Sequence, residues 1–326
     1  MKALQLTHPR SFVPVDVAMP ELGSAPEGRL LVKTGSVSIC GSDIPSFNGS
    51  RQPQGLPLPP GAPIHECAGT VVQTTSGQFS PGDLVVAIPD HNQGLAEYFT
   101  ALASRAVRLP AELAGAQSCP LVQPLSTVVN AVDRIGAVAG RTFAVVGLGS
   151  IGLLFCWLLR KRGASAIVGI DPLESRCRFA ERMGATRTRA LRSAGVLHAA
   201  REDPSTWEAP EVCVEAVGHQ MDTLNDCIGL VQERGTVLAF GVPDHDVYRI
   251  EFSTFFRKNA HLLAAVTPDW SEYLPKALAL FVEHRHELEA LVTHRLPILD
   301  AGRAFELYER HDEGIVKVLL DGSAWG

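Results

Sequence analysis

A chain of 326 residues, 46% hydrophobic and 20% charged, has the make-up of a soluble globular enzyme and the length of two domains. Its formal net charge of −6, with no basic block beyond Arg160-Lys161-Arg162, speaks against nucleic-acid and anionic-membrane partners. There is no apolar run of the roughly 18 residues that a membrane-spanning helix needs, and MKALQLTHPRSF lacks the apolar centre of a signal peptide.

Residues 1–125 carry short β-like runs between Gly- and Pro-rich turns: LLVKTGSVSI, ECAGTVVQTT, DLVVAI and AEYFTAL. SRQPQGLPLPPGAP (50–63) reads as a surface loop and QFSPGD (78–83) as a turn entering a strand. This half is expected to be an irregular, barrel-like β domain. Cys40-Gly41-Ser42-Asp43 lies here, and His65-Glu66 begins 25 residues after Cys40. A thiolate, an imidazole and a carboxylate suit zinc, although the three residues alone are not a specific signal.

From 126 to 265 the pattern changes to alternating strands and helices, which implies a parallel sheet covered on both faces. STVVNAVDRIGAV reads as a helix leading into the β-branched run Phe143–Val146. Gly147-Leu148-Gly149-Ser150-Ile151-Gly152 follows, then the apolar helix LLFCWLLRKRG, closed by Gly163. Ala166–Ile170 is a second strand, ending at Asp171, 24 residues after Gly147. Strand, G-x-G-x-x-G, helix and acid in this order form a dinucleotide-binding (Rossmann) fingerprint. Gly147 makes the tight turn, Gly149 lets backbone approach a pyrophosphate, and Gly152 lets helix and strand pack closely. The N–H groups at Ser150 and Ile151 then face the phosphates. Asp171 would accept from a ribose diol and repel a 2′-phosphate, which favours NAD over NADP. Further helices are expected at Glu174–Met183 and Met221–Gln232, and strands at Glu211–Val217, Thr236–Val242 and His261–Val266. Residues 185–210 give no clear pattern.

Residues 266–326 read as a helix at Tyr273–Glu283, a polar helix end at HRHE (284–287), a short strand THRLPI, a helix at Asp300–Glu309 and a closing strand GIVKVLL. This tail is expected to return to the first domain. The seven cysteines are scattered, with no C-x-x-C pair, as in a chain of the reducing cytoplasm.

Taken as an ordered set, CGSD (40–43), HECAGTV (65–71), PGDLVV (81–86), GLAEYF (94–99), QPLSTVVNAV (123–132), VVGLGSIG (145–152), EAVG (215–218), GTVLAFG (235–241) and THRLPILDAGRAFEL (293–307) resemble the zinc-dependent medium-chain dehydrogenase/reductase family of alcohol, sorbitol and threonine dehydrogenases. The resemblance implies a GroES-like catalytic domain and a Rossmann domain that binds NAD, with one catalytic zinc on Cys40, His65 and Glu66. It implies further that Ser42 passes on the alcohol proton, that Asp43 orients His65, and that Asp171 selects NAD. The substrate implied is a secondary alcohol, with a lean towards a polyol, sugar, cyclitol or amino alcohol from the polar loop residues Ser46, Asn48, Arg51, His91, Asn92 and Gln93. Pairing of Rossmann domains through edge strands, with His261–Val266 as the candidate, implies a homodimer or a homotetramer.

Four departures from the family pattern stand out. Gln123 occupies the third-ligand position, where a neutral amide ligates zinc poorly. Ile64 replaces a glycine before the zinc histidine, and Pro45 replaces a histidine used in proton exit. Only PDHNQG (89–94) stands where a four-cysteine lobe would sit, so no structural zinc is expected. Two other readings remain open: a zinc-free NAD(P)H reductase of an enone or quinone on the same fold, and a non-catalytic NAD-binding protein.

Overall fold

The computed structural model describes residues 1–50, 55–311 and 314–325; Arg51, one of the polar loop residues above, lies outside them. The chain forms two compact units, Met1–Ser126 with Asp269–Gly326, and Thr127–Pro268.

The first unit begins with a hairpin of β1 (Lys2–His8) and β2 (Ser11–Asp16). Strand β3 (Arg29–Ser38) leads to a short turn at Gly41–Asp43 and the one-turn helix α1 (Ile44–Asn48). Then come β4 (Glu66–Thr74), β5 (Leu84–Ala87), β6 (Tyr98–Leu102) and β7 (Ala106–Arg108). Pro45 lies in the first turn of α1, where its fixed φ suits the helix and its missing N–H costs nothing.

After α2 (Val122–Ile135) the second unit alternates as its sequence pattern demands. In order it runs β8 (Thr142–Val146), α3 (Ser150–Lys161), β9 (Ala166–Ile170), α4 (Glu174–Arg182), β10 (Arg187–Arg189) and α5 (Ser193–Glu202). It continues with β11 (Val212–Glu215), α6 (Asp222–Leu230), β12 (Thr236–Ala239), α7 (Phe252–Arg257) and β13 (His261–Ala264). Every pairing is parallel, in the order β10-β9-β8-β11-β12-β13. The chain starts at β8 and winds both ways, so the switch point lies between β8 and β11, the place where doubly wound sheets take their ligands. Ala144, Val146, Ile170, Cys213 and Val237 build a core beneath α5 and α6. Strands β11 and β12 stop at Glu215 and Ala239, short of the expected Val217 and Val242. For β11 the reason is local: Glu215 Oε1 accepts from the N–H groups of Val217 (2.9 Å) and Gly218 (3.0 Å) and closes a turn there.

The remainder joins the first unit, through α8 (Trp270–Glu283), α9 (Arg285–Glu289), β14 (Val292–Pro297), α10 (Ala301–Arg310) and β15 (Lys317–Asp321). The sheet there has the order β14-β15-β3-β4-β5-β7, with β6 on β3. Phe47 of α1 packs on Phe305 of α10, ring centroids 4.8 Å apart, and both are buried. The two ends of the chain thus share one core, and β15 lies directly beside β3, Leu319 opposite Ser38.

Candidate functional site

Cys40, His65 and Glu66 come together: each offers a ligand atom within 4.8 Å of the others. Sheet register explains this. Cys40 follows the end of β3, Glu66 starts β4, and Ser38 and Glu66 are direct partners across that pair. The turn after β3 is fixed by Asp43, which is nearly fully buried. Its Oδ2 accepts the Cys40 N–H at 2.9 Å, and its Oδ1 lies 3.0 Å from His65 Nδ1. One carboxylate therefore fixes the backbone at Cys40 and orients the His65 imidazole, and it leaves His65 Nε2 as the ring nitrogen open to an ion. Burial works to lower the His65 pKa, but Asp43 and Cys40 outweigh it and hold the imidazole well above its usual range. Burial raises the Asp43 pKa, against the opposing pull of His65. Cys67, next to this set, is fully buried, and its thiol is pushed up by burial and by Glu66. A thiol, an imidazole with its orienting acid and a carboxylate in one place form a donor set that fits zinc.

Ser42 is half-buried in the turn between Cys40 and Asp43. Gln123 is buried in the first turn of α2, where its backbone oxygen accepts from the Ser126 hydroxyl at 2.6 Å. Ile64 is fully buried in the main core of this unit, so the position before His65 takes a packed side chain in place of a glycine. His91 is exposed, in the loop that occupies 89–94.

Two residues at this centre were not singled out in the sequence. Lys317 donates to Glu66 Oε1 at 2.7 Å and lies 2.6 Å from Oε2, and the Ser38 hydroxyl donates to Oε2. The signal was a lysine between Val316 and Val318 in an apolar strand, where a charge needs a buried partner.

In the second unit the glycine motif takes the shape its spacing implies. Gly147 has φ +89°, and a Cβ there would come within 2.6 Å of Val217 Cγ2, so the loops after β8 and β11 touch at the switch point. A Cβ on Gly152 would fall on the Gly147 carbonyl oxygen, whereas one on Gly149 would meet nothing. Gly149 caps α3 without a side-chain bond, which leaves the N–H groups of the first turn, including Ser150 and Ile151, for an anion. Asp171 follows β9; Oδ2 accepts the Leu148 N–H and Oδ1 the Leu173 N–H, each at 2.9 Å. It is thereby locked to the glycine loop. Arg176 Nη1 lies 3.5 Å from Oδ2, a second charged group beside Asp171 that the sequence analysis did not single out.

Comparison with known proteins now adds to the geometry. Residues 26–115 match the alcohol dehydrogenase GroES-like domain, and residues 150–283 match the zinc-binding dehydrogenase domain. The chain belongs to the zinc-type medium-chain alcohol dehydrogenase family. Sorbitol dehydrogenase of Gallus gallus is 27% identical over 93% of this chain and 91% of its own length. D-altritol 5-dehydrogenase of Agrobacterium fabrum is 28% identical, over 91% of this chain and 93% of its own. Alcohol dehydrogenase TADH from Thermus sp. ATN1 shares the fold, with a TM-score of 0.83 at 24% identity over 98% of this chain and 99% of that one. Family membership makes this dehydrogenase an oxidoreductase with a GroES-like and a Rossmann-type unit. Among the described residues, no helix is long and apolar enough to cross a membrane.

Proposed function

We propose that this dehydrogenase moves a hydride between NAD(H) and a secondary alcohol or its ketone, with a polyol, sugar, cyclitol or amino alcohol as the substrate class. One catalytic zinc would be held by Cys40, His65 and Glu66, with no structural zinc. The observation that carries the reading is the Asp43 bridge, which presents a thiol and an imidazole to one point beside a buried carboxylate. The ion, when bound there, supplies Lewis-acid polarisation of the substrate oxygen. The curated relatives named above are a sorbitol and a D-altritol dehydrogenase, which supports the polyol class.

The chain's own groups divide the remaining work. Cys40 and His65 stay aimed because Asp43 holds both. Ser42, the hydroxyl in the same turn, takes the alcohol proton and passes it on; with Pro45 following, the relay runs to water or to the cofactor ribose. Gln123 stands by as a neutral neighbour outside the ligand set. Gly147, Gly149 and Gly152 shape the phosphate cradle, and the N–H groups of Ser150 and Ile151 receive the negative charge. Asp171 accepts from the adenosine ribose diol, with Arg176 beside it, and its charge selects NAD. The cofactor brings the hydride chemistry, while the protein brings geometry and electrostatics.

Strand β13 is the last strand of its sheet, and its Leu262 is 41% exposed; Phe252 and Phe256 of the preceding α7 are 65% and 69% exposed. Apolar groups on a free edge suit pairing with a second copy, as a homodimer or within a homotetramer. All seven cysteines are free thiols, which suits a cytoplasmic enzyme.

The test is turnover of the zinc-replete protein with NAD+ and NADP+ on a panel of polyols and amino alcohols, beside Cys40→Ser. NAD+-dependent oxidation that disappears in the variant supports the proposal. NADPH-dependent reduction of an enone that survives Cys40→Ser would replace it with the zinc-free reductase. NAD binding without turnover on any member would leave a non-catalytic binder.

A further inference from the structure

Lys317 and Glu66 are both wholly shielded from solvent. Desolvating an ammonium and a carboxylate is costly, and a fold tolerates the pair only when each charge is fully engaged. That condition is met. The Lys317 ammonium donates to Glu66 Oε1 and to the Ile39 carbonyl oxygen at 3.0 Å, and it forms an ion pair with Glu66 Oε2 at 2.6 Å. Ser38 adds a further donor to Oε2. A carboxylate offers about four lone-pair sites. Each Glu66 oxygen is already engaged, Oε1 by Lys317 and Oε2 by Ser38 with the ammonium close by, which leaves the carboxylate little room for a further partner.

This matters because Glu66 is also one of the three candidate ligands. Lys317 and Ser38 compete with an ion for the same oxygens. Charge points the same way: a Cys40 thiolate, Glu66 and Asp43 place three negative charges around a divalent ion, and Lys317 supplies the missing positive one.

We propose that Lys317 is a positioning residue of the metal centre. It restricts Glu66 to a single, weakened bond to the ion, so that affinity is moderated and a coordination position stays open for the substrate oxygen. The inference rests on the zinc reading above. It concerns the ion's hold on the protein, which is measurable without turnover.

The experiment is chelator-competition titration of zinc into metal-free wild type, Lys317→Met, Lys317→Arg, Glu66→Gln and the Glu66→Gln/Lys317→Met pair, with visible spectra of the Co2+-substituted forms. In Lys317→Met the freed carboxylate turns to the ion. Zinc binds about tenfold tighter or more, on the scale by which outer partners tune metal sites, and the Co2+ spectrum changes. Lys317→Arg stays near wild type, and in the Glu66→Gln background the lysine substitution no longer alters affinity. Zinc affinity and Co2+ spectrum alike in wild type and Lys317→Met would overturn the inference, as would an equal change in the Glu66→Gln background, because either result makes Lys317 only a structural counter-ion. Ser38→Ala keeps both charges, so it reads the same competition if Lys317→Met fails to fold: zinc binding should tighten several-fold, and unchanged affinity refutes the inference. The wild-type titration decides the zinc reading by itself, and the variant ratios decide the role of Lys317.

Discussion

Replacing Asp43 with Asn keeps the shape of the side chain and removes its charge. In the wild type that charge sits 3.0 Å from His65 Nδ1, and the same carboxylate holds the Cys40 N–H at 2.9 Å. An amide oxygen can still accept one of these bonds, so the turn should survive. What is lost is the orientation and basicity that an acid gives to a metal-binding imidazole, an effect of about 10- to 100-fold in affinity, or about 1.4–2.7 kcal/mol. The pH dependence carries the sign. Asp43 and Cys40 hold His65 protonated to a higher pH than usual in the metal-free protein, and that proton has to leave before an ion can bind. Zinc affinity should therefore fall as pH drops through the raised His65 value. In Asp43→Asn the intrinsic affinity is lower, and the pH at which it declines shifts downward. Stability of the metal-free protein should show the opposite trend. Because the folded His65 value lies above the unfolded one of about 6.5, the His65–Asp43 pair contributes stability below that pH and loses it as pH rises through the folded value. The assay is a zinc titration against a chelator across pH, with thermal unfolding of the metal-free forms. Wild-type affinity and an unshifted pH profile in Asp43→Asn would refute this account of the bridge.

The glycine motif predicts a contrast between neighbours. Gly152→Ala places a Cβ on the Gly147 carbonyl oxygen and should lower the unfolding temperature, with overpacking of this kind costing about 1–3 kcal/mol. Gly149→Ala meets nothing in the protein and should leave unfolding unchanged while weakening NAD binding by tenfold or more, as calorimetry can show; full NAD affinity in Gly149→Ala would mean that phosphates do not approach there. At the sheet edge, Leu262→Lys should shift the assembly to smaller species in light scattering, since it sets a charge on an exposed apolar position of β13. An unchanged mass would place the interface elsewhere.

The second unit was the more legible in the sequence, for a physical reason. Its fingerprint is local: a buried strand, three glycines with separate steric tasks and an acid at the end of the next strand all lie between Thr142 and Asp171. Strand β9 keeps its expected limits, Ala166–Ile170. Strand β10 and α5 stayed hidden because the strand has three residues, none of them apolar, at the edge of the sheet, and Gly195 interrupts the helix pattern. In the first unit the pairing of Ser38 with Glu66 was beyond reach without the register of β3 on β4. Lys317 was harder still, since 251 residues separate it from the carboxylate it touches. Arg176 reaches Asp171 only through the geometry of α4. Fold-level periodicity is written locally, whereas a buried charge network is assembled from strands distant in the chain.

A single catalytic zinc on Cys40, His65 and Glu66 is open to elemental analysis of the purified protein beside Cys40→Ala. About one zinc per chain is expected in the wild type, with loss of it in the variant. Zinc absent after metal-replete expression, or retained in full by Cys40→Ala, would contradict it, and about two per chain would contradict the absence of a structural site.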